Sequence, residues 1–482
     1  MAAYLLLTSS IFGAQILWTT EQALGSPYLA SLGLSKHATA LVWLAGPLSG
    51  LVAQPLVGIL ADSSTSSYRR RAPMVFSCLA ASLSLALLVL FPHPSVAVLA
   101  FYLLDFALNA YQSCARALIL DRVPAPQQSN ANAAHGYMTH LGTLAAYIVA
   151  YTAPSFPVVC FIGALILVIS TIVTTFTQPE SPRTPSCPSQ PSSAYHYLPP
   201  GISDIPSSIW RVYLVQFFAW TAWFPFLFYA STFIAQAYTA SHPEESFSSI
   251  YSYNNDPLQV TARVATPVLF LGALVSVFSG TFLPPLASLL SKKQYYCAAR
   301  LASPRSLWTM SLVLLGSLLI GSLSIPYDDY FAASAIIVAA GIPWCIACWV
   351  PYALLMEYAR HSPVNSADSN NHTTNPLQET SPLLNKPIDG QEPQNGGLII
   401  GIHNIFIVMP QFIVSIIASL IFKSLNSNPI PSSSSSISSP HQSQDVAYVF
   451  AFGGVASIIA ACLSLFLPIT RSESLTIACS EP

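Results

Sequence analysis

Apolar and polar stretches alternate along this chain with a long period. An α-helix needs ~20 apolar residues to cross the ~30 Å hydrocarbon core of a bilayer. Segments of about that size recur near 5–29, 38–61, 73–91, 96–120, 134–153, 156–176, 209–236, 264–290, 306–324, 331–356, 396–423 and 446–469. Six precede a polar break and six follow it. The break, TQPESPRTPSCPSQPSSAYHYLPPG, is rich in Pro and Ser and reads as a linker over 177–208. Stretches 361–397 and 427–444 are equally polar and read as disordered loops, lacking the apolar content to fold alone. The pattern predicts an all-α membrane protein with twelve transmembrane helices in two pseudo-symmetric six-helix halves. These halves are 1–176 and 209–470, with a tail at 471–482.

Composition supports a lipid solvent. Of 482 residues, 53% are hydrophobic and only 7% charged, against roughly 25% charged in a soluble domain. The mean hydropathy is +0.55. A net charge of −2 gives no reason to expect nucleic acid. The nine cysteines are scattered, and the close pair Cys345 and Cys348 has no second pair beside it. No disulfide framework, metal site or cofactor is expected. The N-terminal run lacks a basic leader and continues past Trp18, so a cleavable signal peptide is not expected.

Lys and Arg fix the expected orientation. With the N-terminus inside, the inner connections collect Arg69, Arg70, Arg71, Arg122, Arg183, Lys292, Lys293, Arg300, Arg305, Arg360 and Lys386, and the tail adds Arg471. The outer ones hold little beyond Lys36, Arg263 and Lys423. The positive-inside rule then places both termini in the cytoplasm. Six spans, a central inner linker and six more is the layout of secondary transporters, which bind substrate near the midplane between their halves. The loops show no nucleotide-binding motif and no nucleophile–base pair, so an enzyme is not expected.

One polar stripe stands out inside the fourth span, LLDFALNAYQSCARALILDR. At 100° per residue, Asp105, Asn109, Gln112 and Arg116 fall at about 0°, 40°, −20° and 20°, along one face. Charged groups at membrane depth are functional candidates by default. Asp105 and Arg116 are separated by about 16 Å of helix rise, so each needs its own partner. A desolvated carboxylate can take and release a proton near neutral pH. Arginine offers donors to hydroxyls, and Asn109 and Gln112 offer both donors and acceptors.

Weaker signals surround the stripe. Glu21 is a second in-membrane carboxylate and a candidate to share the proton, with Gln15, Trp18 and Gln22 along roughly the same side. Trp220 and Trp223 could stack on a sugar ring, and His403, Asn404 and Gln411 could face a cavity or simply pack. Glu357 reads as a gate partner at the inner end of span ten.

Between spans two and three, GPLSGLVAQPLVGILADSSTSSYRRRAP carries Gly58 and Asp62, then Arg69, Arg70 and Arg71. This resembles the cytoplasmic signature of the major facilitator superfamily and implies that fold, with Asp62 and the arginines as a gate. The likeness extends further. WTTEQALGSPYLASLGLSKHATALVWLAGPLSGLVAQPLVGILAD, LLDFALNAYQSCARALILD, QFFAWTAWFPFLFYASTFIAQAY, GIPWCIACWVPYALLMEYA and GLIIGIHNIFIVMPQFIVSIIASLIFK resemble, in order, spans of the sucrose-transporter group, in its fungal branch. That resemblance implies proton-coupled symport of sucrose, maltose or related α-glucosides. It also implies that Asp105 carries the proton and Arg116 serves sugar binding. The chain departs from the plant pattern at Ala230, Thr232 and Gln236, where two Asp and an Arg stand, and at Ala72 in the basic loop. A non-transporting sugar sensor and an organellar sugar carrier are the competing expectations. The expected partners are a small sugar, protons and the bilayer, with no nucleic acid and no obligate protein partner. The plasma membrane is preferred over the vacuolar one.

Overall fold

In the computed structural model the described residues are 2–34, 42, 45–124, 127–152, 156–180, 205–242, 257–292, 300–360, 396–426, 445–470 and 473. The predicted loop 427–444, residues 361–395 of the other predicted loop and most of the predicted linker lie outside them, whereas Gly396 and Gly397, predicted as disordered, open a helix. Their secondary structure is helical: α1 (Ala2–Ser31), α2 (Ala45–Ser63), α3 (Arg71–Leu90), α4 (Pro94–Arg122), α5 (Gln128–Thr152), α6 (Phe156–Thr177), α7 (Ser207–Ser241), α8 (Pro257–Lys292), α9 (Pro304–Gly321), α10 (Tyr330–Ala339), α11 (Gly341–Arg360), α12 (Gly396–Asn426) and α13 (Asp445–Ser464). A 3₁₀ turn, Ser322–Ser324, follows α9.

Local chemistry sets several boundaries. Pro94 opens α4, and the His93 side chain accepts from Ser95 N–H as an N-cap. Ser303 caps α9 and Asp329 caps α10 in the same way. The expected tenth span, 331–356, is two helices. Pro343 has no N–H for the carbonyl of Ala339, and its ring crowds that carbonyl, so the chain breaks between them. Ser276 Oγ of α8 donates to the carbonyl of Gly341 at the break (2.9 Å). Counting α10 and α11 as one span, the described helices occupy twelve span positions, as the hydropathy pattern predicts.

Nine segments among the described residues are by themselves long and apolar enough to cross a membrane. The other three, α1, α2 and α5, carry buried Glu21, Gln54, Gln128, Asn132, His135 and His140. Outward faces are apolar and bare: Phe76, Leu79 and Leu83 on α3, Phe161 on α6, Phe278 and Phe282 on α8, and Ile416 and Leu420 on α12. Such a belt is stable only against lipid.

Within the first half, α1 packs on α5 and α6, and α4 on α2 and α3; within the second, α13 packs on α7 and α9. The halves meet where α2 and α4 touch α12, and where α5 touches α8 and α11. In span numbers these pairs are two with eleven, five with eight, four with eleven and five with ten. Moving each number by six turns the first pair into the second and the third into the fourth. The seam therefore has the pseudo-two-fold symmetry expected of two like halves.

Small residues let this seam close. A Cβ added at Gly401 of α12 would stand 2.6 Å from Pro55 Cα of α2, a backbone atom that cannot step aside. Gly401→Ala is expected to destabilise the closed seam by about 1–3 kcal/mol, the usual cost of overpacking. A reporter thiol in Leu398→Cys should then label faster than in otherwise native protein. Equal labelling rates would show that the contact is not needed for closure.

Candidate functional site

On the polar stripe of α4, Asp105, Asn109 and Arg116 are buried and Gln112 is half-buried, and the two charged ends have separate surroundings. Asp105 is 3% exposed and Glu21 of α1 is 6% exposed. The two carboxyls interact electrostatically with each other between α1 and α4. Neither Glu21 oxygen meets an N–H or O–H of any other described residue. Two carboxylates can share a hydrogen bond only if one carries a proton. A buried pair of carboxyls of this kind is chemically suited to sharing a proton.

One turn deeper, Asn109 is fully engaged. Its Nδ2 donates to Ser49 Oγ (2.8 Å) and to the Asp105 carbonyl (3.0 Å), and its Oδ1 accepts from Gln54 Nε2 (2.8 Å). Gln54 also reaches Gln112 Oε1 (3.5 Å). In this conformation Asn109 ties α4 to α2 beside the carboxyl pair.

Arg116, two turns further, has no carboxylate partner among the described residues. Its guanidinium carbon sits 3.3 Å from the ring centroid of Tyr352 on α11, a cation–π stack across the seam. Tyr352 in turn meets His403 of α12 edge-on (4.8 Å between centroids), and His403 lies against Tyr213 of α7 (5.8 Å). Further seam bonds run from Trp349 Nε1 to the Ser129 carbonyl (2.8 Å) and from Asn404 Nδ2 to the Gly50 carbonyl (2.8 Å).

At the end carrying the α2–α3 loop, the three arginines are placed by carboxylates. Arg70, 1% exposed, pairs with Asp62, and its Nε pairs with Asp121 Oδ2 (2.9 Å). Arg69 Nη2 reaches the same Asp121 oxygen (2.9 Å). The second Asp62 oxygen accepts from Leu398 N–H at the start of α12 (3.0 Å), so one carboxylate joins the basic loop to the other half. Glu180, just beyond α6, accepts from the backbone N–H groups of Arg70 (3.0 Å) and Arg71 (2.8 Å). Burial pushes the Glu180 carboxyl above the usual range, while those N–H groups and the arginine charges pull it back. Glu357 is buried near the same end of α11.

The second half repeats part of this device. Arg71 Nη1 donates to the Thr175 carbonyl at the end of α6 (2.9 Å), and Arg71 pairs with Glu180 at 3.6 Å. Arg305, one residue into α9, donates to the Leu467 carbonyl past the end of α13 (2.7 Å) and pairs with Glu473 (2.7 Å). Each half thus clips the start of its third span to the chain beyond its sixth.

Other predicted residues are more dispersed. Trp223 is buried and packs against Trp344 (4.8 Å) and Phe226 (5.5 Å) inside the second half. Trp220 lies half-buried against Phe224 and Trp344. Gln15 donates to Thr19 Oγ1 (3.2 Å) on its own helix. Trp18 and Gln411 are half-buried, and Gln22 is exposed. Sequence reasoning missed Asp121, Glu180, Glu473, Gln54, Tyr352 and His135. Asp121 could have been found, since it lies on the inner end of the span that already carries Asp105 and Arg116.

Comparison with known proteins agrees with this architecture. A general alpha-glucoside permease of Schizosaccharomyces pombe is 27% identical, covering 94% of this chain and 91% of the permease. A sucrose transport protein of Arabidopsis thaliana is 25% identical over 84% of this chain and 81% of its own length. A rice sucrose transport protein is 24% identical over 72% and 78% respectively. Among solved structures, a bacterial homologue of the iron transporter ferroportin in an outward-facing state superposes with a TM-score of 0.58. It covers 95% of this chain and 98% of that one at 12% identity, a likeness of fold alone. Residues 3–367 match the Major Facilitator Superfamily. With its twelve span positions and its seam of exchanging pairs, the chain belongs to that superfamily.

Proposed function

We propose that this protein is a proton-coupled symporter of sucrose, maltose or related α-glucosides, working by alternating access between its halves. The reading is supported by the Glu21–Asp105 pair, two interacting buried carboxyls that a shared proton would join. The names of the permease and sucrose-transport relatives supply the substrate class.

In this reading Asp105 and Glu21 load a proton from one side. Arg116, with the Asn109, Gln112 and Gln54 amides nearby, orients sugar hydroxyls. The Asp62–Arg70–Asp121 group holds the basic end shut until both ligands are bound. Opening that end separates α12 from α2 and α11 from α5, exposing the site to the other side. Radiolabelled sucrose and maltose uptake into transporter-deficient yeast tests the whole. Accumulation that collapses with a protonophore is expected; protonophore-insensitive uptake would remove the proton from the mechanism, and no uptake of either sugar would remove the substrate class.

The orientation belongs to the same proposal. With Arg69, Arg70 and Arg71 in the cytoplasm, the sequon at Asn371 lies in the cytoplasm too and should carry no glycan. A glycosidase-sensitive mobility shift that disappears in Asn371→Gln would invert the topology.

A further inference from the structure

Three buried polar side chains at the closed seam keep hydrogen-bonding atoms that no described residue satisfies. Arg116 of α4 leaves Nε and Nη1 unsatisfied, and both ring nitrogens of His135 on α5 and of His403 on α12 are unsatisfied as well. All three are more than nine-tenths buried: Arg116 is 7% exposed, His135 0% and His403 1%. They form one group. Tyr352 of α11 touches both Arg116 and His403, and His135 stands on α5 where that helix faces α11. His135 precedes Gly136, whose missing side chain lets α5 approach Trp349 and Cys348 of α11.

Buried donors and acceptors are rarely left alone in a folded protein, because each unmade hydrogen bond costs stability. Groups of this kind mark places where something else completes the set. The chemistry of the set narrows what that is. Arginine supplies donors only, while a neutral imidazole supplies one donor and one acceptor. A carboxylate or phosphate would need donors throughout and would leave the imidazole acceptors facing it. A hydroxyl group both donates and accepts, and neighbouring hydroxyls on a pyranose ring fit such a mixed set. The ring of Tyr352 covers one face of the guanidinium, leaving its edge for hydrogen bonding.

We infer that His135, His403 and Arg116 form an inner hydroxyl-binding subsite, which the sugar engages as α11 and α12 move away from α4 and α5. This rests on the sugar-symport reading and adds His135 to it. The subsite lies beyond the Glu21–Asp105 pair on the path toward the basic end. It is closed in this conformation and becomes available as the seam parts. A sugar that engages these groups only when the seam is parted favours opening.

The test replaces each imidazole by a ring of similar shape without polar atoms. His135→Phe and His403→Phe remove unsatisfied groups, so the sugar-free purified protein should melt no lower than the native protein. The same variants should raise the half-saturation concentration for sucrose or maltose at least ~10-fold. They should also lose the rise in melting temperature that sugar gives the native protein. A merely packed imidazole predicts that half-saturation and the sugar-induced rise both stay as in the native protein, and that result would overturn the subsite. Should a Phe variant fail to fold, His135→Gln and His403→Gln keep a donor and an acceptor in a different place. A rise in half-saturation of at least ~3-fold supports the subsite, and an unchanged value overturns it. Native protein that neither takes up nor is stabilised by either sugar would sink the symport reading instead, which keeps the two failures distinct.

Discussion

Asp105→Asn is expected to leave a carrier that equilibrates sugar across the membrane and cannot concentrate it. The substitution keeps the shape of the side chain and can still hydrogen-bond to Glu21, but the group that would titrate is gone. Sugar contacts at Arg116 lie about 16 Å away along α4 and should survive, so sugar-induced stabilisation of the purified protein should remain. What disappears is the rise in accumulation as the outside is acidified. The measurement is steady-state sugar content in cells or vesicles at several external pH values, with surface abundance matched. Accumulation with native pH dependence would make Asp105 a polar packing residue and leave Glu21 as the proton carrier.

The second large effect is expected at Arg70. This side chain is 1% exposed and sits between Asp62 and Asp121. Removing one partner of a buried ion pair typically costs about 3–5 kcal/mol, because the remaining charge stays desolvated. In Arg70→Gln, Asp121 keeps Arg69 while the Asp62–Arg70 ion pair is lost. The conformation closed at the basic end therefore bears most of the loss. Transport should fall to a small fraction of native, and a Ser129→Cys reporter at the α5–α11 seam should label faster. Asp62→Asn is the milder companion. It removes the charge pair while its carbonyl can still accept from Leu398 N–H, and it should lower the maximal rate more than it changes half-saturation. If both variants transport and label like the native protein, the arginines serve topology alone.

How much of this was legible in the sequence differed by interaction type. Span positions were readable because a lipid-facing helix must be apolar over a fixed length, and Phe76, Leu83 and Ile416 are outward for that reason. The stripe was readable because Asp105, Asn109, Gln112 and Arg116 share a helical face whatever the helix packs against. Its partners were not. Glu21 stood out as a carboxylate in an apolar run, yet only the crossing of α1 and α4 places it against Asp105. Tyr352 and His135 resemble ordinary interior residues in sequence, and only the seam brings them to Arg116. The clip at Glu473 was hidden for another reason: a short polar segment after the last span reads as tail, with nothing local to say that Arg305 holds it. The break at Ala340 could have been read from Pro343, whose missing N–H interrupts the tenth span.

A hydrogen bond shared by two carboxyl groups also sets an energetic ceiling. In the proposed symport cycle Glu21 and Asp105 would share one proton, so each cycle would draw on the free energy of one proton crossing the membrane. That is about 2.3 kcal/mol for each 100 mV of potential, and about 1.4 kcal/mol for each pH unit of difference. With 100 mV and one pH unit, the sum is about 3.7 kcal/mol. At about 1.4 kcal/mol per factor of ten, such a cell could hold sugar a few hundredfold above its surroundings. A carrier with a second independent proton site would square that ratio and halve the number of sugars gained per proton admitted.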